Sequence, residues 1–103
     1  MQLQVSSKHM DVTPAIREFA RKQAGKLVRL SKKITGARLF LETVPKKHND
    51  PQANTVTYEV EVPGKNVVVT AHARDLYQAI VVATNSAARQ VRKVFEKRRT
   101  MRR

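Results

Sequence analysis

Val56, Tyr58, Val60 and Val62 alternate with Thr57, Glu59 and Glu61. After Pro63-Gly64 the alternation resumes, with Val67, Val69 and Ala71 set against Val68, Thr70 and His72. A side-chain period of two belongs to a strand with one face buried, and Pro-Gly between two such runs makes a tight turn. The stretch is therefore a β-hairpin with an apolar face that must be covered. Its other face, with Thr57, Glu59, Glu61, Thr70 and His72, can stay in water. Everything else apolar in the chain has to reach one side of a sheet.

Other signals build around that hairpin. Met1, Leu3 and Val5 alternate with Gln2, Gln4 and Ser6, a short strand with one buried face. Residues 37–44 predict a second strand, and 45–54 a loop with Asn49-Asp50-Pro51 as its turn signal. Thr13-Pro14 starts a helix, because the hydroxyl can cap and proline lacks an N–H only where none is needed. From there Ile16, Phe19, Ala20, Gln23, Leu27 and Leu30 share one helical stripe. Gly25 weakens this helix by about 1 kcal/mol relative to alanine, and Gly36 reads as an end-of-helix or loop residue. Asp75-Leu76-Tyr77-Gln78 is a capping box that opens a long helix. In it Leu76, Ile80, Ala83, Ala87, Val91 and Val94 fall within an arc of roughly 80°. Arg98 takes the next turn of that stripe, so the apolar face ends and residues 96–103 project past the core or fray.

The order is β-α-β-β-β-α, an α+β class. The first crossover pairs strands one and two in parallel and in right-handed fashion, and the remaining pairs are antiparallel. With one sheet face polar, both helices pack side by side on the other face of a four-stranded sheet. This resembles the architecture of double-stranded RNA-binding domains.

The net charge of +13 sits in the two helix-like segments. Segment 14–33 carries Arg17, Arg21, Lys22, Lys26, Arg29, Lys32 and Lys33 against Glu18 alone. Segment 89–103 carries Arg89, Arg92, Lys93, Lys97, Arg98, Arg99, Arg102 and Arg103 against Glu96 alone. The remaining bases and acids balance. Arg89/Lys93 and Lys93/Lys97 are like-charge pairs four residues apart, each costing about 0.2–0.5 kcal/mol at low salt. One or two cations would satisfy a helix C-terminus; this many, of one sign, form the footprint of a polyanion-binding surface. By charge alone Lys22, Arg29, Arg92 and Lys97 belong to that surface.

Other chemistry is poorly supported. His9, His48 and His72 are isolated and cysteine is absent, which argues against a metal site. No glycine-rich phosphate loop or catalytic motif is present, so no catalytic residue, metal or cofactor is assigned. No apolar run approaches a membrane span, and the N-terminus lacks the apolar region of a signal peptide. The absence of cysteine fits a cytoplasmic protein. With few aromatics and no tryptophan, a row of base-stacking rings is not expected.

Met1-Gln2-Leu3, Thr13-x-Ala15-Ile16-Arg17-Glu18-Phe19, Lys26-Leu27, Asp75-Leu76-Tyr77-x-Ala79-Ile80 and Arg89-Gln90-Val91-x-Lys93 together resemble the bacterial ribosome hibernation-promoting factor and ribosome-associated inhibitor family. The resemblance spans the chain and is most specific at Asp75–Ile80 with Arg89-Gln90. It departs at Val81, where relatives often have an acid, and at Gly25. The resemblance implies the same β-α-β-β-β-α fold and a short form without the extra dimerisation domain. It implies one ribosome-binding domain over 1–103 that acts as a monomer off the ribosome.

The resemblance further implies binding to 16S ribosomal RNA of the 30S subunit, in the channel for messenger and transfer RNA. Translation is then silenced under stress or in stationary phase, with 100S pairing aided by ribosome modulation factor. Lys26, Arg89 and Lys93 match the family's RNA-contacting positions. Tyr77 stands between two readings, packing at the helix start and RNA contact. Alternatives remain: a general double-stranded RNA-binding module, an inhibitor-type factor that keeps 70S ribosomes single, or a regulator that docks an acidic protein.

Overall fold

A computed structural model describes residues 2–8, 10–44 and 50–101, with the side chains of 99–101 excepted. Its elements are β1 (Gln2–Ser7), α1 (Pro14–Val28), β2 (Gly36–Thr43), β3 (Asn54–Val62), β4 (Lys65–Ala73) and α2 (Leu76–Met101). Met1 of the expected first strand, residues 45–49 of the expected loop, His9, and the side chains of Arg99, Arg102 and Arg103 lie outside the described residues.

The expected α+β order is the observed one. The sheet runs β1-β2-β3-β4, with β1 parallel to β2 and the other pairs antiparallel. The hairpin closes through Pro63-Gly64 between paired Val62 and Lys65. Gly64 has φ +78°, and proline fixes the preceding φ, which leaves the type II turn geometry that favours glycine. Val56, Tyr58, Val60, Val67, Val69 and Ala71 are buried, as the alternation requires.

Both helices cover that apolar face. α2 packs on β3 and β4, and α1 packs on α2 and β1. Ile16, Ala20, Ala24 and Leu27 face inward from α1; Ala79, Ile80, Ala83, Ala87 and Val91 do so from α2. Tyr58 is fully buried beneath this layer, and burial pushes its phenol up to about 12.

The ends of the helices follow the local chemistry. The Ile16 N–H donates to Thr13 Oγ1 at 3.2 Å, and the Gln78 N–H donates to Asp75 Oδ2 at 3.2 Å. α2 is further fixed at its start by buried Asn54, whose Nδ2 donates to the carbonyls of Ala73 and Arg74 at 3.2 and 2.8 Å.

Two expectations need correction. The basic segment 14–33 is not one helix: α1 ends at Val28, with Arg29 as its cap. Leu30 N–H bonds back to Leu27, and Lys33 N–H bonds to Ser31 Oγ, so the chain turns and buries Ile34. Lys32 and Lys33 therefore sit on a loop. Gly36 is not a loop residue but the first residue of β2, paired with both Gln2 and Glu61. A Cβ there would lie 3.2 Å from the Gln2 carbonyl oxygen and 3.3 Å from Glu61 Oε2, a tight fit that a glycine avoids.

Candidate nucleic-acid interface

β1, β2 and β4 share one direction, and each helix runs back along its preceding strand, so α1 and α2 point the same way. Their contacts keep step along the seam. Phe19 meets Tyr77 edge-on, with centroids 5.0 Å apart and planes at 81°. Two turns later Lys26 Nζ donates to Asn85 Oδ1 at 3.1 Å.

This parallel pairing brings the cations together. Lys22, Lys26 and Arg29 lie within roughly 60° of arc on the side of α1 that faces α2. Arg89, Arg92 and Lys93 occupy the side of α2 opposite its buried Ile80, Ala83, Ala87 and Val91, and Lys97 continues toward β4. All seven side chains belong to exposed residues. The structure therefore gathers Lys22, Lys26, Arg29, Arg89 and Arg92 along one helical seam, with Lys93 and Lys97 on its flank.

Their electrostatic setting differs from that of Arg21 and Arg38. Arg21 binds Glu18 at 2.6 Å, which holds the Glu18 carboxyl below its ordinary range and raises the Arg21 guanidinium. Arg38 binds Glu59 and Glu61 at 3.2 and 2.7 Å. None of these seven cations forms a salt bridge to another described residue, though the Lys22 charge adds to the lowering of Glu18. A surface of exposed ammonium and guanidinium groups free of salt bridges among the described residues can bind phosphate oxygens, bidentately where arginine is used.

Sequence reasoning missed several members of this region. Asn85 bridges the helices, and the 85-89-92 spacing of one helical face was the signal for it. Arg98 does not extend outward with the basic run. Its Nη2 donates to the Pro63 carbonyl at 2.6 Å and its guanidinium carbon lies 5.9 Å from the centre of the Phe95 ring. Phe95 itself packs half-buried against the core. For Tyr77 the ring packs on Phe19 while 38% of the residue stays exposed.

Among the described residues no group of three or more His, Cys, Asp or Glu side chains converges on a metal-sized site. His72 instead bonds Thr55 Oγ1 through Nδ1 at 2.9 Å on the open sheet face. His48 lies outside the described residues. No helix among them is long and apolar enough to cross a membrane.

Comparison with known proteins gives a consistent picture. The sequence profile of the family described as "Sigma 54 modulation protein / S30EA ribosomal protein" matches residues 3–99. A ribosome hibernation promotion factor of Deinococcus radiodurans is 34% identical over 90 residues, covering 87% of this chain and 47% of that protein. The chain thus spans about half the length of that relative. A ribosome-associated factor Y of Haemophilus influenzae is 30% identical over 97 residues, covering 94% of this chain and 85% of that protein. Among solved structures, the Thermus thermophilus Protein Y N-terminal domain superposes with a TM-score of 0.74 at 27% identity, covering 90% of this chain and 94% of that one. A ribosomal subunit interface protein from Coxiella burnetii shares the fold, with a TM-score of 0.76 at 22% identity, covering 93% of this chain and 99% of that one.

Proposed function

The chain belongs to the sigma 54 modulation protein / S30EA ribosomal protein family, and from that premise we propose that it is a ribosome hibernation factor. It binds the 30S subunit in the messenger and transfer RNA channel, through 16S ribosomal RNA, and silences translation under stress or in stationary phase. Residues 1–103 act as one ribosome-binding domain in the cytoplasm. The observation that carries this reading is the helical seam with its flank, where seven exposed cations form no salt bridge to another described residue.

Lys22, Lys26, Arg29, Arg89, Arg92, Lys93 and Lys97 meet phosphates in this reading, and the neutral amide of Asn85 spaces Lys26 without cancelling its charge. Occupying a channel needs no bond-making step. The protein competes with messenger and transfer RNA for one site, by mass action and without cofactor or catalysis. Pairing of silent ribosomes into 100S particles then draws on ribosome modulation factor.

Purified subunits and ribosomes on a sucrose gradient test this. The protein is expected to travel with the small subunit, and free double-stranded RNA in equal mass should not strip it off. Inhibition of translation should be stoichiometric with ribosomes and relieved by excess initiator transfer RNA and messenger RNA. Equal affinity for any RNA duplex would make it a general RNA-binding module instead. RNA turnover during the assay would overturn the non-enzymatic role.

A further inference from the structure

Beside the seam, Leu30, Lys33, Arg92, Phe95, Glu96 and Arg98 line an open groove of about 580 Å³ that also reaches the β3–β4 turn. That is room for a small ligand. Its walls combine the apolar Leu30 and Phe95 with three cations, Lys33, Arg92 and Arg98, against Glu96. Such a mixture suits a ligand that is flat and apolar on its faces and anionic at its edge.

The geometry points to one unpaired RNA nucleotide seated in this groove, its base stacked on the Arg98 guanidinium and its phosphates met by Lys33 and Arg92. This deepens the ribosome-binding reading and rests on it. Arg98 is the preorganised element. The Pro63 carbonyl at 2.6 Å and the Phe95 ring at 5.9 Å hold its guanidinium at the groove wall. A guanidinium fixed in this way forms a stacking platform as an aromatic ring would, and unpaired RNA bases are recognised on such planes. One platform needs no row of aromatics, which suits a chain with so few. Charge complementarity selects a nucleotide over an uncharged aromatic ligand.

The plain alternative is that Arg98 only pins α2 to the hairpin turn. The full chain would be titrated at low salt with two single-stranded RNA octamers. One carries 2-aminopurine at its centre; the other is abasic at that position. The base-containing octamer is expected to bind at least about fivefold more tightly, with its fluorescence raised as the base leaves the stack of its neighbours. Arg98→Lys keeps the charge and a donor but removes the plane, and should abolish both effects. Lys33→Ala, on an exposed loop where folding is not at stake, should weaken the base-containing octamer more than the abasic one. Equal affinities for the two octamers, or a difference that survives Arg98→Lys, would overturn the groove as a nucleotide site. If the octamers are indistinguishable while 30S binding is intact, the groove fails alone. Discrimination of the octamers without 30S binding supports the groove and overturns the hibernation role.

Discussion

On the open face of the sheet Arg38 is held by Glu59 and Glu61, and Asn66 Nδ2 donates to Glu59 as well. On the helical flank Lys26 donates to the neutral amide oxygen of Asn85 and forms no salt bridge among the described residues. The first face neutralises its cation within its own strands; the second accumulates cations along two helices and leaves them for another molecule. A count of lysines and arginines does not distinguish these cases. The placement of the carboxylates does, because an opposite charge within a few ångströms cancels most of the distant field.

The largest expected effect breaks the helical side of this contrast. Lys26→Glu with Arg29→Glu, or Arg89→Glu with Lys93→Glu, should weaken 30S binding by about a hundredfold or more, since each lost charged contact is worth about 1.5–3 kcal/mol. Each pair should also flatten the log-log salt dependence by roughly 2. Filter binding at several salt concentrations reads both quantities, and melting temperatures should stay close to wild type because these residues are exposed.

Next in size is the layer that separates the two faces. Tyr58 is buried and its phenol is pushed up to about 12, from 10.0. The native state therefore keeps a proton that the unfolded chain gives up. That contribution is whole below pH 10 and fades as pH rises toward 12, with roughly 2–3 kcal/mol at stake. Denaturant unfolding followed between pH 9 and 12 should show this loss, and Tyr58→Phe should remove it.

Gly25→Ala should stabilise α1 by about 1 kcal/mol, because nothing lies within 4 Å of the added methyl and glycine is the poorer helix former. Thermal unfolding reads the gain, and 30S affinity should hold. The smallest effect belongs to the sheet face. Arg38→Ala removes two ion pairs made by an arginine side chain that is 50% exposed, and should cost no more than about 1 kcal/mol. It should leave 30S affinity unchanged; a loss comparable to that of the helix variants would erase the distinction between the two faces.

The sequence by itself determined what neighbours along a chain can determine. The period of two at 56–62 and 67–71 marked the hairpin, Thr13-Pro14 and Asp75 marked the helix starts, and the apolar stripes marked the buried sides of both helices. These signals are local, since backbone periodicity and capping act within a few residues. Tertiary structure decided the rest. Gly36 is crowded by the Gln2 carbonyl and the Glu61 carboxylate, which come from two other strands. Lys26 and Asn85 are 59 positions apart and meet only because the two helices run side by side in one direction. Arg98 turns back to a carbonyl 35 residues earlier, so a residue counted with the basic run becomes the wall of a groove. Such contacts depend on strand register and helix packing, which pattern and propensity do not specify until the whole sheet is assembled.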